Sequence, residues 1–202
     1  MGAAMDTEWF KRFGDIPGVT YKTPHGIDRR RLQAAEACPR ELYIGDKRVA
    51  MLDEPDDSTS PAAQRWFDLN IADMSVDAML RNLYETLEVP GEAEDYHFAI
   101  QDVIEELWRR RRSEPLVLMH VESLSWLDVS LIQACPDAIT FGDELQYFSV
   151  PAFGRLITLY TREGAWRDAL TVADIGEQFG GYPGRAAIVE RVAALDAEAA
   201  DA

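Results

Sequence analysis

One stretch constrains the fold more than any other. In FGRLITLYTREGAWRDALTVADIGEQFG, residues 153–180, apolar side chains recur every three or four positions, stop at Gly164 and resume at Trp166. Phe153, Leu156, Ile157 and Tyr160 stand at i, i+3, i+4 and i+7, and Trp166, Ala169, Leu170 and Ala173 repeat the pattern. That is the helical period, so each half predicts an amphipathic helix with one buried stripe. Gly164 tolerates positive φ and supplies the reversal between the halves. Ala169, Ala173 and Gly176 are small, which lets the second helix lie close against the first. The segment is therefore expected to be a close-packed helical hairpin.

The same period extends upstream to about residue 66. Val76, Met79, Leu80, Leu83 and Leu87 predict one helix, stopped by VPG at 89–91. The next runs from about Glu92 to Arg111, with Ala93, Tyr96, Ile100, Val103, Ile104, Leu107 and Trp108 inward. Acids crowd its first turn and arginines its last, as the helix dipole favours. A further helix follows Ser113, with Leu116, His120, Leu124, Leu127 and Leu131 along one side; SWLD at 125–128 offers an alternative start by a capping box. Pro136 is expected to open a shorter helix containing Ala138, Phe141, Leu145 and Phe148. A last helix should turn Ile188, Val189, Val192 and Leu195 inward. About seven helices with short connections should pack antiparallel.

Residues 1–65 read differently. Gly14, Pro17, Gly18, Pro24 and Gly26 mark turns. DRRRLQAAEAC predicts a short helix capped by Asp28, and ELYIGDKRVAML predicts a β-hairpin with Leu42, Ile44, Val49 and Met51 as its apolar residues. DEPDDSTSP, 53–61, has the composition of a linker or exposed loop. The expected organisation is an irregular segment, 1–65, followed by an all-helical domain, 66–202.

The hairpin at 153–180 resembles a tetratricopeptide (TPR) repeat. Phe153 stands at the early bulky position and Leu156 at the following leucine. Tyr160, Gly164 and Trp166 fit the aromatic, the turn glycine and the next aromatic. Ala169 and Gly176 fit the central and later small positions. Ile157 departs from the usual small residue, Ala173 from a large aromatic, and Gly181 from the closing proline, with Pro183 slightly late. The resemblance covers about 30 of 202 residues. It implies an α-α layer, capped by the last helix, that binds peptides or partner proteins on a concave face.

Charge and motifs narrow the function. The formal net charge is −16, which disfavours nucleic acid or an anionic membrane as a partner for the whole chain. The basic residues are bunched, however: RRR at 29–31 and RRRR at 109–112 hold seven of the 20 lysines and arginines. No apolar run approaches the roughly 20 residues that span a bilayer, and MGAAMDTEW lacks the pattern of a signal peptide. Cys38 and Cys135 are far apart and form no CxxC pair, so they are read as thiols in a reducing cytoplasm. No GxSxG, HExxH, GxxxxGK[ST] or GxGxxG occurs. His97, Gln101 and Glu105 share one side of a helix but are too few for a metal site. His120 lies on an apolar stripe and His25 in a Pro/Gly loop.

These observations lead to no catalytic, cofactor-binding or metal-binding residues. The candidate binding residues are Arg109, Arg110, Arg111 and Arg112. They read either as cations at a helix C-terminus, paired with Glu105 and Glu106, or as a dock for an acidic peptide or phosphate. The expected function is a noncatalytic, cytoplasmic adaptor that binds another protein or peptide. The alternatives are an acidic inhibitor of a basic toxin or nucleic-acid-binding enzyme, and an enzyme using the region of His25 or Cys38.

Overall fold

Caps and breakers in the sequence set the helix boundaries. The computed structural model describes residues 11–27, 32, 38–39, 41–44, 47–50, 58–67, 70–141, 146–147 and 149–200. Among these residues are seven α-helices: α1 Pro61–Phe67, α2 Val76–Leu87, α3 Ala93–Arg110, α4 Val117–Ala134, α5 Pro151–Glu163, α6 Trp166–Gly176 and α7 Arg185–Ala200. The fold is mainly helical. Its contacts gather into two units, Met1–Val103 and Ile104–Ala202, divided within α3.

In the first unit, three side chains fix the helix starts. Ser60 Oγ accepts from Ala63 N at 3.0 Å, Ser75 Oγ accepts from Ala78 N at 3.3 Å, and Asp95 Oδ2 accepts from Glu92 N at 2.8 Å. Each satisfies an N–H that the helix itself leaves unbonded. Ser60 also donates to Asp95 Oδ2 at 2.6 Å, tying α1 to α3. The end of the expected 53–61 loop is thus a helix cap. Met79, Leu80, Leu83 and Leu87 of α2 are buried, as are Tyr96, Ile100 and Val103 of α3. Phe13 is fully buried, edge-on to Tyr21 at 5.2 Å and to Tyr96 at 5.5 Å. Lys11 and Gly91 exchange backbone hydrogen bonds of 3.1 and 2.9 Å. The Tyr96 hydroxyl lies 2.5 Å from the Lys11 carbonyl and 2.7 Å from that of Val89, and burial raises its pKa well above the ordinary phenol value.

In the second unit, α4 packs on α5, α5 on α6 and α6 on α7. Pro151 opens α5, where the N–H it lacks would have had no intrahelical partner. Gly164 closes it with φ 79°, Gly164 N bonding to Thr161 O at 3.3 Å and Ala165 N to Tyr160 O at 2.8 Å. This pair of bonds is the Schellman arrangement, and the left-handed position favours glycine. Leu156, Ile157, Ala169, Val172 and Ala173 are buried in the resulting hairpin. At Gly176 the position of a Cβ lies 3.6 Å from the Phe153 ring, so the small residue lets that ring approach α6. Trp126 Nε1 donates to Tyr160 Oη at 2.7 Å, and that hydroxyl donates to Glu122 Oε1 at 2.8 Å, linking α4 to α5.

Several expectations need correction. α4 is continuous through SWLD, and its buried face is Val117, Val121, Leu124, Ser125, Asp128, Val129, Leu131 and Ile132. Leu116, expected inward, is 80% exposed, while His120 and Leu127 are only half-buried. The helix carries apolar residues on nearly every side, so the period does not select one face. The described residues of 136–148 include no α-helix. Pro136–Ile139 is a single 3-10 turn, followed by Thr140–Phe141 paired with Gln146–Tyr147; Leu145 and Phe148 lie outside the described residues. In α6, Val172 is fully buried where Leu170 is half-buried, and Val189 of α7 is exposed. The helix expected from Asp28 lies outside the described residues except for Leu32, which is helical and buried. Of the expected β-hairpin, only a backbone pairing of Glu41–Ile44 with Lys47–Ala50 is described. Its turn, Gly45 and Asp46, and its Met51 lie outside the described residues.

Candidate functional site

The last turn of α3 carries the arginine run, and the structure divides it. Arg109 reaches back one turn: its Nε is 2.8 Å from Glu106 Oε2 and its Nη2 is 2.6 Å from Glu106 Oε1. Arg110 Nε donates to Glu106 Oε1 at 2.5 Å. The two guanidiniums hold the Glu106 carboxyl below the usual carboxylate range, the hydrogen bond from Arg109 being the main cause. Arg109 and Arg110 are thus engaged by a helix-surface pair at i+3 and i+4. Glu105, expected to share this role, instead accepts two contacts from Arg155 of α5, at 2.7 and 2.8 Å from Nη2, and one at 3.0 Å from Nε.

Arg111 and Arg112 follow the helix and behave differently. The Arg111 guanidinium lies 4.2 Å from the centre of the Trp108 ring, and its Nη1 donates to the Trp108 carbonyl at 2.5 Å. Arg155 approaches the same ring at 4.8 Å. Both cations use the negative face of the indole. Loss of water around Arg111, then the positive charges of Arg112, Arg162 and Arg155, lower its pKa. It remains a cation, because an arginine titrates far above neutral pH. Arg112 is exposed on the turn, and Arg162 is exposed in the last turn of α5. Among the described residues, Arg111, Arg112 and Arg162 have no carboxylate partner.

The guanidiniums of Arg111 and Arg155 thus lie over the Trp108 ring, and Arg112 and Arg162 add their positive charge to that of Arg111, four guanidiniums in all. Sequence reasoning found two of them and missed the two on α5. Their seven-residue spacing puts them on one helix face, but nothing in the sequence brings that face to the end of α3. Beside Arg155, at the start of α5, a cavity of about 540 Å³ is lined by Val150, Pro151, Phe153, Arg155, Phe179 and Tyr182, among others. The rings of Phe153 and Phe179 stack there, 6.1 Å apart and 16° from parallel. Gly180 and Gly181, both at positive φ, shape its rim.

The other candidate residues do not assemble a centre. His97 is fully buried, His120 half-buried and His25 exposed. Glu105 is held by Arg155, so His97, Gln101 and Glu105 do not converge. Among the described residues, no group of three or more His, Cys, Asp or Glu is placed to hold a metal ion, and no helix is long and apolar enough to cross a membrane. Cys135 is half-buried, and the side chain of Cys38 lies outside the description. Sequence reasoning also missed Ser125 and Asp128, fully buried one turn apart on α4. The arrangement around Trp108 offers guanidiniums for an anion and an adjoining recess for an apolar group. The chain matches no known protein family, no curated protein and no solved structure.

Proposed function

We propose that this chain is a noncatalytic, cytoplasmic protein-interaction module, with the α5–α6 hairpin as a TPR-like repeat and α7 as its capping helix. The observation that carries the reading is the pair of guanidiniums, Arg111 and Arg155, over the Trp108 ring, with the charges of Arg112 and Arg162 acting on Arg111. Like charges brought together raise the energy of the folded chain. On a chain of net charge −16, acids to neutralise them are plentiful, yet only Arg155 has one here among the described residues. A surface kept in that state serves an outside anion. The burial of Ala169, Ala173 and Gly176 in a close-packed hairpin supports the TPR-like part.

Hydrogen exchange on the full chain with a protein co-purified from its host tests this. Protection within 104–200 on addition of the partner is the expected result. The acidic-inhibitor alternative places the partner on carboxylate-rich surface instead, with protection away from Arg111, Arg112 and Arg162. Turnover of a small molecule by the purified chain would refute the noncatalytic reading.

A further inference from the structure

We propose that the cavity at the start of α5 and the arginines beside it form one groove for a short acidic peptide carrying an apolar anchor side chain. The proposal rests on the interaction-module reading and names its ligand. Arg155 joins the two halves of the groove, since it lines the cavity and also faces Trp108 at 4.8 Å. Arg111 lies over the same ring at 4.2 Å, and Arg112 follows it in the chain as an exposed residue of the turn. Arg162 continues the line along α5, two turns from Arg155. From Pro151 to Arg162 the helix rises about 16 Å, the span of about five extended residues.

The chemistry of each end selects the occupant. At about 540 Å³ the cavity is within the usual size of ligand recesses. Val150, Pro151, Pro183 and the stacked Phe153 and Phe179 give it apolar walls. An apolar side chain fits against these walls. At the other end, Arg111, Arg112 and Arg162 lack carboxylates among the described residues, and planar guanidiniums suit carboxylates. A long polyanion such as nucleic acid would also meet the field of a chain at −16, whereas a peptide with a few acids meets mainly the local arginines.

The test uses the full chain and a fluorescein-labelled peptide of one phenylalanine followed by four glutamates, read by anisotropy. Binding at about 0.05 M salt is expected, weakened at least about tenfold at 0.5 M. Arg112→Glu and Arg162→Glu, both exposed, should each weaken it about tenfold or more. Replacing the peptide's phenylalanine with serine should do likewise. Arg167→Ala, an exposed residue of α6 paired with Asp196, should leave binding unchanged.

Failure to bind the peptide overturns the groove, as does equal binding by the charge-reversed arginines or displacement by equimolar inorganic phosphate. So does binding to phosphatidylserine vesicles in place of the peptide. If the groove fails in this way while a co-purified protein still protects 104–200, the module reading stands without it. If that protection is also missing, both readings fall.

Discussion

Gly91→Ala puts the close packing of the first unit to a direct test. At this glycine a Cβ would lie 2.5 Å from Ala62 Cβ and 3.1 Å from both Cζ and Oη of Tyr96. Two carbons sit comfortably at about 3.5–4.0 Å, so α1 or the Lys11–Gly91 strand must retreat by about 1 Å. Neither is free to do so. Ala62 N donates to Pro90 O at 3.0 Å, Lys11 and Gly91 exchange two bonds, and the Tyr96 hydroxyl reaches the Val89 carbonyl. A 1 Å shift takes one or two of these bonds beyond hydrogen-bonding distance. Overpacking costs about 1–3 kcal/mol and each bond about 0.5–1.5 kcal/mol, so the expected loss is about 2–4 kcal/mol. Gly91 is not at positive φ, so backbone strain adds nothing and the loss is steric. Gly154→Ala is the matched comparison, because at Gly154 nothing lies within 4 Å of a Cβ. Within α5 that change should stabilise by about 0.5–1 kcal/mol through helix propensity. Urea and thermal unfolding followed by far-UV circular dichroism measure both. Gly91→Ala within about 0.5 kcal/mol of the parent would refute the packing described around Ala62 and Tyr96.

Ala169→Arg should lower stability by at least about 3 kcal/mol, since the site is fully buried in the α5–α6 hairpin; a parental melting temperature would place Ala169 on the surface and withdraw the TPR likeness. Arg167→Ala, two residues earlier but exposed, should change stability by no more than about 0.5 kcal/mol. Tyr160→Phe removes the hydroxyl between Trp126 and Glu122 and should cost about 1–2 kcal/mol, with a non-additive cycle when combined with Trp126→Phe. Glu106 has a lowered pKa when folded, so its pairing with Arg109 and Arg110 stabilises fully above the ordinary carboxylate range and is lost as pH falls through the lower folded value. Glu106→Gln should therefore flatten the acid limb of a stability–pH curve and leave the trend above pH 6 unchanged.

Helices were legible where one face carries the apolar residues. In the α2 stripe Met79, Leu80, Leu83 and Leu87 are buried and Val76 half-buried, and in the α3 stripe Tyr96, Ile100, Val103, Ile104, Leu107 and Trp108 are buried and Ala93 half-buried, because the alternation of apolar and charged residues favours one face. The α5–α6 reversal was equally legible, since Gly164 is both the end of one period and the residue that accepts φ 79°. α4 was not. With Leu116, Leu118, Met119 and Leu127 off the buried stripe, its sequence supports more than one face, and Leu116 belongs to the turn rather than to the helix. Nor does the pattern announce Ser125 and Asp128 as interior, because a polar residue normally marks the wet side. The 136–148 segment failed for another reason. Its apolar spacing looks helical, but Thr140 and Phe141 are strand-forming residues following a proline-led turn, and the local preference prevails.

The arginine run shows where charge patterning stops being informative. RRRR at 109–112 fixes only that four cations follow one another; their roles depend on what stands one turn back and what packs alongside. Position 106 holds a glutamate, so Arg109 and Arg110, at three and four residues' distance, are drawn onto the helix surface. Position 108 holds a tryptophan, so Arg111 folds back over its ring. Both steps follow from spacing within α3 and were open to sequence reasoning. The third step was not. Arg155 and Arg162 sit some 45 to 50 residues further along the chain, and only the packing of α5 beside the end of α3 sets Arg155 over Trp108 and brings the charge of Arg162 to bear on Arg111. Once there, they change the run from a helix end with favourable cations into a cluster with more guanidiniums than its neighbouring acids neutralise. A helix dipole accommodates about half a unit charge at its C-terminus, which is less than the charge of Arg111, Arg112 and Arg162, none of which has a carboxylate partner among the described residues.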